Sequence, residues 1–168
     1  VMDATLHIKQ GETLGLVGES GSGKTSLGRA ILKLLSDTSG TIRFDQKDIS
    51  QLSESEMKPL RSEMALMFQD PVGSLSPRKT VRAILEEPFQ IAGIAASNIS
   101  NRVDDLFDLV GLPADFAGRY PHELSGGQAR RVGVARALAL NPKLIIADQP
   151  TAGLDVSVQG EILNLMSR

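Results

Sequence analysis

The first part of the chain alternates between strand-like and helix-like patterns. Residues 5–17 alternate apolar and polar positions and then run apolar, which predicts a strand, a turn at Gln10 and Gly11, and a second strand. Residues 24–35 repeat apolar positions with the spacing of one face of an amphipathic helix. Residues 39–49 return to alternation, so we expect a further strand pair or an edge strand.

The remaining chain is helical in its middle and returns to a strand near its end. A short apolar strand ends at Gln69, and residues 71–123 have helical spacing, with Gly111 and Pro113 at the end of a helix. After a further helix, the apolar strand at residues 143–148 is expected to be fully buried. This succession predicts an α/β fold with a mainly parallel sheet, a small antiparallel β edge and an inserted α-helical subdomain.

These patterns divide the chain into three segments. Residues 1–70 would form the N-terminal part of the α/β core, residues 71–123 the helical insert, and residues 124–168 the return to the core. Both ends fall inside patterned segments, so we interpret the sequence as a piece of a longer protein.

Composition narrows the class of protein without identifying a function. Of 168 residues, 41% are hydrophobic and 23% charged, which is typical of a globular domain. The net charge of −2 gives no basic field for a nucleic-acid partner, and the absence of cysteine excludes disulfides, thiolate metal sites and cysteine nucleophiles. Apolar runs are far shorter than the roughly 20 residues that span a bilayer, so we expect any membrane connection to go through a partner.

A glycine-rich loop stands between the second predicted strand and the first helix. The stretch GESGSGKT, residues 18–25, fits the G-x-x-x-x-G-K-[ST] phosphate loop of P-loop NTPases in the strand–loop–helix context that this motif requires. Glycines let backbone N–H groups point at phosphate oxygens, and the positive helix start favours anions. Lys24 would reach the β- and γ-phosphates, and the Thr25 hydroxyl would bind Mg²⁺. The candidate binding residues are Gly18, Glu19, Ser20, Gly21, Ser22, Gly23, Lys24, Thr25 and Ser26.

Two further segments carry candidate chemistry. Asp148 ends an apolar strand, where an unpaired carboxylate is unfavourable, so we expect it to bind Mg²⁺ through water. Ser125 and Gln128 have the S-x-x-Q spacing of a capping box at a helix start. The two glycines after the cap destabilise a helix, but they expose N–H groups that suit a phosphate.

These motifs occur in an order that resembles the ATP-binding-cassette (ABC) ATPases. LSGGQ, residues 124–128, is similar to their signature sequence, and LIIAD and AGLD are similar to their Walker B strand and their D-loop, the latter containing Asp155. Gln69 in MFQD stands where the family has its Q-loop glutamine, at the junction to the helical insert. The stretches FQDPVGSLSPRKTV, RYPHELSGGQ and PTAGLDVSVQ resemble the oligopeptide and dipeptide importer branch.

The resemblance implies ATP and Mg²⁺ as cofactors and divides the site residues into two groups. The phosphate loop would bind this chain's own ATP, with Thr25, Gln69 and Asp148 at the metal. The residues that would serve the ATP of a second subunit, bound head to tail, are Ser125, Gly126, Gly127, Gln128 and Asp155. The implied partners are that second ABC ATPase subunit, transmembrane permease subunits and, indirectly, a substrate-binding protein. The implied location is cytoplasmic, on the inner face of the cell membrane.

One position departs from the family pattern. The family has a glutamate after the Walker B aspartate as general base, whereas this chain has Gln149. An amide can hold a water by hydrogen bonding but has no useful proton affinity. Because a general base contributes about 10²–10⁴-fold to the reaction rate, we expect ATP hydrolysis to be strongly impaired. Gln149 is either a natural degenerate site in an asymmetric pair or a substitution that traps ATP. The isosteric change among intact neighbours favours a substitution.

The favoured function is the ATPase subunit of an ABC transporter that powers uptake of peptides or similar small solutes. One alternative is a non-transport ABC ATPase of the DNA-repair or translation type. Another is a non-hydrolysing module whose ATP-dependent dimerisation is the output, and Gln149 is its main support. A P-loop kinase or transferase is more distant, because it leaves LSGGQ unexplained.

Four other polar residues are expected to have no chemical role. Arg130 and Arg131 on the signature helix would form a solvated face, and His7 and His122 would be structural or at the surface. Neither histidine stands where the family places its switch histidine, well after the D-loop.

Overall fold

The computed structural model describes residues 3–67, 70, 73–150, 159–160 and 164. It separates into two compact units, Val1–Met64 and Ala65–Arg168. Helices and short strands occur in both units, and the main cluster of buried side chains belongs to the second.

The described part of the first unit is a helix followed by a hairpin and a short helical stretch. Its elements are α1 (Lys24–Ile31), β1 (Arg43–Phe44), β2 (Lys47–Asp48), α2 (Glu54–Met57) and a 3₁₀ helix (Lys58–Glu63). Strands β1 and β2 pair antiparallel, with Phe44 opposite Lys47. Asp45 and Gln46 between them have φ of +48° and +66°, as a type I′ hairpin turn requires. The predicted strand pair within residues 39–49 is therefore confirmed.

The segment before the phosphate loop differs from the prediction of two strands. The predicted turn is present, because the Glu12 N–H donates to the Lys9 carbonyl oxygen at 3.0 Å and Gly11 has φ +74°. Neither flank of this turn within residues 5–17 is a strand, and Val17 is 95% exposed. A strand needs ladder hydrogen bonds to a neighbour, which apolar alternation alone does not supply. That part of the prediction is wrong.

Helix α1 ends one turn earlier than its apolar spacing predicts. The Leu34 N–H donates to the Arg29 carbonyl oxygen and the Lys33 N–H to the Ala30 carbonyl oxygen, both at 2.9 Å, which is the Schellman pattern. Lys33 takes the left-handed conformation of this ending, with φ +52°. The chain therefore leaves the helix before Leu34, which is exposed.

The second unit combines a short sheet with three longer helices. Its elements are β3 (Met64–Met67, beginning at the boundary), α3 (Val81–Ile91), α4 (Ala96–Leu109), 3₁₀ helices at Ala114–Gly118 and Pro121–Glu123, α5 (Gly126–Leu138) and β4 (Leu144–Ala147). Strands β3 and β4 are parallel neighbours, although α3, α4 and α5 lie between them along the chain. The predicted strand–helix–strand succession is confirmed.

A capping motif marks the start of α3 and another marks the end of α4. The Thr80 Oγ1 accepts a hydrogen bond from the Ala83 N–H at 3.3 Å and caps α3. The Leu112 N–H donates to the Phe107 carbonyl oxygen at 3.0 Å, and Gly111 has φ +62°, so α4 ends in a Schellman motif. This confirms the predicted helix end at Gly111.

The buried side chains of α3, α4 and α5 form one core. Val81, Leu85, Val103 and Val132 are 0% exposed and Phe89 is 1% exposed. Truncation of a phenylalanine buried in this way destabilises a domain by about 3–5 kcal/mol. This packing fixes the position of α5, whose start carries the signature residues. Strand β4 is half-buried, so the prediction of a fully buried strand is wrong.

The predicted insert, residues 71–123, contributes α3 and α4 to this core. The insert and the signature helix therefore share buried side chains. The division of the chain at residues 70 and 123 stays a prediction. Within the part of the chain that the structure describes, no helix has the length and apolar character needed to cross a membrane.

Candidate functional site

The glycine-rich loop before α1 depends on glycine at several positions. Gly21 and Gly23 have φ of +80° and +92°, in the left-handed region that is unfavourable for residues with a Cβ. A Cβ on Gly18 would lie 2.8 Å from the Ser22 Oγ, so a side chain there would displace Ser22. The loop therefore has the tight backbone that the phosphate-loop motif predicts.

Lys24 bends back over this loop from the first position of α1. Its ammonium donates hydrogen bonds to the carbonyl oxygens of Gly18 at 2.7 Å and Glu19 at 2.6 Å, and to the Ser22 Oγ at 3.3 Å. The N-cap of α1 is Gly23, which has no side chain to cap the first N–H groups of the helix. A cation and a positive helix start therefore meet in one loop, and this is the donor set that a phosphate group requires.

Helix α5 begins with the capping box that its sequence predicts. The Gln128 N–H donates to the Ser125 Oγ at 3.3 Å, and the Ser125 N–H donates to the Gln128 Oε1 at 2.9 Å. Gly126 and Gly127 lie between the two residues of the box. A Cβ on Gly126 would meet no described atom within 4 Å, so packing among the described residues does not require glycine there.

Asp148 lies at the end of the parallel strand pair. Its N–H donates to the Met67 carbonyl oxygen at 3.0 Å, so the hydrogen-bond ladder continues one residue beyond β4. The residue is half-buried. Among the described residues, no group of three or more histidine, cysteine or acidic side chains could hold a metal ion. Asp148 therefore belongs to no such group among the residues that the structure describes.

Gln149 has a backbone conformation that is unusual for its residue type. Its φ is +51°, and it precedes Pro150, although a proline favours extended backbone in the residue before it. A left-handed conformation outside glycine is unfavourable by about 1–3 kcal/mol and persists only where neighbouring groups hold it. Gln149 is exposed, and the chain bends at Asp148 and Gln149.

Arg130 of α5 supplies contacts that hold this turn. Its Nη1 donates to the Gln149 carbonyl oxygen at 3.1 Å and also to the Pro150 carbonyl oxygen. Arg130 is 5% exposed. Burial lowers the pKa of Arg130, and the Asp70 carboxylate offsets part of this shift. The prediction of a solvated Arg130 is wrong, because its hydrogen-bond partners are backbone carbonyls that follow 19 and 20 positions later in the chain.

Arg131 and Arg136 also turn toward the protein. The Arg131 Nη1 donates to the Val110 carbonyl oxygen at 2.7 Å, and the Arg136 Nη1 donates to the Ser74 carbonyl oxygen at 2.8 Å. Burial lowers the pKa of Arg136, and the Glu87 carboxylate offsets part of this shift. The predicted solvated face is therefore wrong for Arg131 as well, and α5 uses its cations to fix neighbouring loops.

The two histidines lie at the surface. His7 and His122 are exposed, as predicted, and the His122 ring stacks on Tyr120 with the ring centroids 5.8 Å apart. These positions agree with a structural or surface role.

Two predicted site residues, Gln69 and Asp155, lie outside the described residues, so their roles stay predictions. The phosphate loop belongs to the first unit, whereas the signature residues, Asp148 and Gln149 belong to the second. Within the second unit, Arg130 links α5 directly to the turn that carries Gln149.

The chain is similar to known proteins over most of its length. A family model described as ABC transporter matches residues 1–152. The chain is 52% identical over 164 residues to the oligopeptide transport ATP-binding protein AppF of Bacillus subtilis, covering 96% of this chain and 50% of that protein. It is 49% identical over 170 residues to the dipeptide transport ATP-binding protein DppF of Lactococcus lactis subsp. cremoris, covering 99% of this chain and 54% of that protein. The chain thus spans about half the length of the curated relatives it matches.

A solved structure has the same fold. The ATP-binding cassette MJ0796, in a dimeric post-hydrolysis state bound to ADP and Pi, matches with a TM-score of 0.85 and 33% sequence identity. The match covers 96% of this chain and 70% of that chain. It confirms the predicted P-loop NTPase fold, with its parallel strand pair and its small antiparallel hairpin.

Proposed function

This chain belongs to the ABC transporter family, and from that premise we propose that it is the ATP-binding part of an importer of peptides or similar small solutes. The observation that carries the proposal is the start of α1. There the Lys24 ammonium and the uncapped N–H groups after Gly23 provide hydrogen-bond donors that suit a phosphate group. The relatives named for oligopeptide and dipeptide transport support the cargo class.

The phosphate loop would hold the chain's own ATP. The Lys24 ammonium would exchange its loop carbonyls for the β- and γ-phosphates, and the N–H groups at the start of α1 would point at the same oxygens. The Thr25 hydroxyl and Asp148 would hold Mg²⁺, with Gln69 close to the metal or the attacking water. When bound, Mg²⁺ supplies charge neutralisation for the phosphates.

The signature residues would serve the ATP of a second subunit. Ser125 and Gln128 stabilise the helix start through the capping box, which leaves the N–H groups of Gly126 and Gly127 outside the box. The open space around Gly126 supports an approach from outside this chain. Asp155 of the predicted D-loop would lie at the same interface between subunits.

The side chain at position 149 would then decide whether bound ATP is hydrolysed. An amide can orient a water by hydrogen bonding but does not take its proton, so Gln149 would slow the chemical step by about 10²–10⁴-fold. Loss of a negative charge beside the triphosphate would also favour the ATP-bound dimer. The chain would therefore bind ATP but hydrolyse it slowly.

The conformational change of dimer closure would be transmitted to the permease through the helical insert. We assign residues 71–123 to this insert, between core segments 1–70 and 124–168, with Gln69 at the junction. The insert would contact permease subunits on the cytoplasmic face of the membrane, and a substrate-binding protein would deliver the cargo. The packing of α3 and α4 against α5 supports a mechanical link between insert and signature helix.

Binding of Mg-ATP to the full-length protein, measured by titration calorimetry, tests the ATP site. Lys24→Ala is expected to lower the affinity by about 10–100-fold, because hydrogen bonds to charged groups contribute about 1.5–3 kcal/mol. Unchanged affinity would contradict the assignment of the phosphate loop.

Single-turnover hydrolysis tests the role of position 149. Gln149→Glu is expected to raise the rate by about 10²–10⁴-fold. Gln90→Glu, which makes the same change on the exposed end of α3, serves as the control and should leave the rate unchanged. Equal hydrolysis rates for the unsubstituted protein and Gln149→Glu would show that the side chain at position 149 does not limit the chemical step.

A non-hydrolysing module is the second candidate. It is favoured by Gln149, because an amide stands directly after Asp148 where the family has a glutamate as general base. In that case ATP-dependent dimerisation would be the output. ATP would then drive dimer formation of the unmodified protein in size-exclusion chromatography, although the same protein shows no single-turnover hydrolysis.

A further inference from the structure

Arg130 joins helix α5 to the turn at residues 149–150. It lies in α5, one turn beyond the glycines of the helix start. Its Nη1 donates to the carbonyl oxygens of Gln149 and Pro150, and the carboxylate of Asp70, just after the Q-loop glutamine, acts on its charge. Among the described residues, Arg130 is the one charged residue that is buried.

The contact fixes the backbone directly after the Gln149 Cα. The two hydrogens of one guanidinium nitrogen reach two consecutive carbonyl oxygens, so the Gln149–Pro150 peptide and the next peptide are held from the same side. The left-handed φ of Gln149 needs such support, because little else in a glutamine–proline pair favours it. The direction of the Gln149 Cα–Cβ bond follows from this backbone.

We infer that Arg130 is a positioning residue for the side chain at position 149. It acts through the backbone carbonyls and holds the turn in which that side chain approaches the reacting water. Because Arg130 belongs to α5, the same contact ties this turn to the helix whose start would serve the partner's nucleotide. The catalytic consequence depends on the function proposed above, whereas the effect on the turn does not.

Amide hydrogen exchange tests the effect on the turn without nucleotide or turnover. Arg130→Met removes the donors while keeping an unbranched side chain that suits a buried position. Arg131→Met is the matched control, since Arg131 also donates from Nη1 to a backbone carbonyl, at Val110. In the full-length protein, Arg130→Met should speed exchange at residues 148–149, and Arg131→Met should not. Equal exchange at 148–149 in the parent and both variants would overturn the inference.

Hydrolysis in the Gln149→Glu background tests the catalytic consequence. Arg130→Met should lower kcat by about 10–100-fold at unchanged ATP affinity, because small misplacements of a reacting group have effects of this size. Arg131→Met should retain kcat. An equal loss of kcat in both variants, or a change confined to KM, would overturn the positioning role.

Two further outcomes stay interpretable. If Gln149→Glu itself shows no hydrolysis, the proposed function fails, and the exchange measurement still decides whether Arg130 holds the turn. If Arg130→Met does not fold, Arg130→Gln replaces it and is judged by the same exchange and kcat criteria.

Discussion

Helices α1 and α5 both start at glycine-rich segments, but their first turns are stabilised in different ways. Helix α1 follows Gly23, which has φ +92° and no capping side chain, and Lys24 bends back over the preceding loop. Helix α5 follows Ser125, whose reciprocal hydrogen bonds with Gln128 satisfy two N–H groups within the chain itself.

This difference indicates how each helix start can meet a phosphate. An uncapped start can donate its N–H groups to an anion enclosed by its own loop, and glycine is needed there for the backbone conformation. A capped start is already stable, and under the proposed function its remaining N–H groups would serve a phosphate from a second subunit. Glycine would then provide conformation in the first helix start and access in the second, and each role can be tested by adding a methyl group.

Gly23→Ala should give the largest change in the comparison. The left-handed conformation at φ +92° is unfavourable for alanine by about 1–2 kcal/mol, so the free energy of unfolding should fall by that amount in urea denaturation. The affinity for Mg-ATP should fall as well, because the helix start moves. Gly40→Ala is the control, since Gly40 also has positive φ, +107°, with open space around it. Gly40→Ala should lose stability and keep its affinity for Mg-ATP. An equal loss of affinity in both variants would contradict a specific role of Gly23 in binding Mg-ATP.

Ser125→Ala removes the cap that distinguishes α5. The free energy of unfolding should fall by about 1 kcal/mol, the usual effect of losing an N-cap. Ser53→Ala, which removes the equivalent capping box of α2, should destabilise the protein by a similar amount. Only Ser125→Ala should weaken ATP-dependent dimerisation in size-exclusion chromatography. Unchanged stability in Ser125→Ala would mean that the capping box contributes nothing to the start of α5.

Gly126→Ala should have an effect of opposite sign. Gly126 is the first residue of α5, and replacing glycine with alanine at a compatible backbone conformation stabilises a protein by about 0.4–1 kcal/mol, because the unfolded chain loses freedom. A Cβ here meets no described atom within 4 Å, so the stability of the chain should rise. ATP-dependent dimerisation should nevertheless weaken, because the methyl group obstructs a phosphate from outside. Gly133→Ala, in the middle of α5 and equally open, should stabilise without affecting dimerisation. A stable Gly126→Ala that dimerises normally would contradict the access role.

The sequence predicts the local part of this comparison and misses what depends on distant residues. The phosphate-loop glycines and the Ser125–Gln128 box are properties of a few neighbouring residues, so their spacing was sufficient. Arg130 was predicted to be solvated because an arginine on a helix gives no sign that backbone carbonyls 19 and 20 positions later will accept its hydrogen bonds. The strands expected within residues 5–17 fail for a similar reason, because a strand depends on a partner that the local pattern does not specify.

The smallest expected effect separates the capping boxes of α2 and α5 by pH. In α2, hydrogen bonds from the Ser53 side chain and backbone lower the pKa of Glu56 below its ordinary value of 4.5. A lowered pKa in the folded state means that this stabilisation is complete above about pH 4.5 and is lost as the pH falls through the folded-state pKa. The box of α5 contains Gln128, whose amide does not titrate in this range.

Amide chemical shifts measured by NMR during an acid titration should therefore change at Ser53 and stay constant at Ser125. Glu56→Gln gives α2 the same type of box as α5 and should abolish the titration at Ser53. If Ser125 showed the same transition as Ser53, the α5 box would depend on a carboxylate elsewhere in the protein. The stability of the α5 start would then depend on a nearby charge, and it would differ less from the start of α1, which we propose binds an anion.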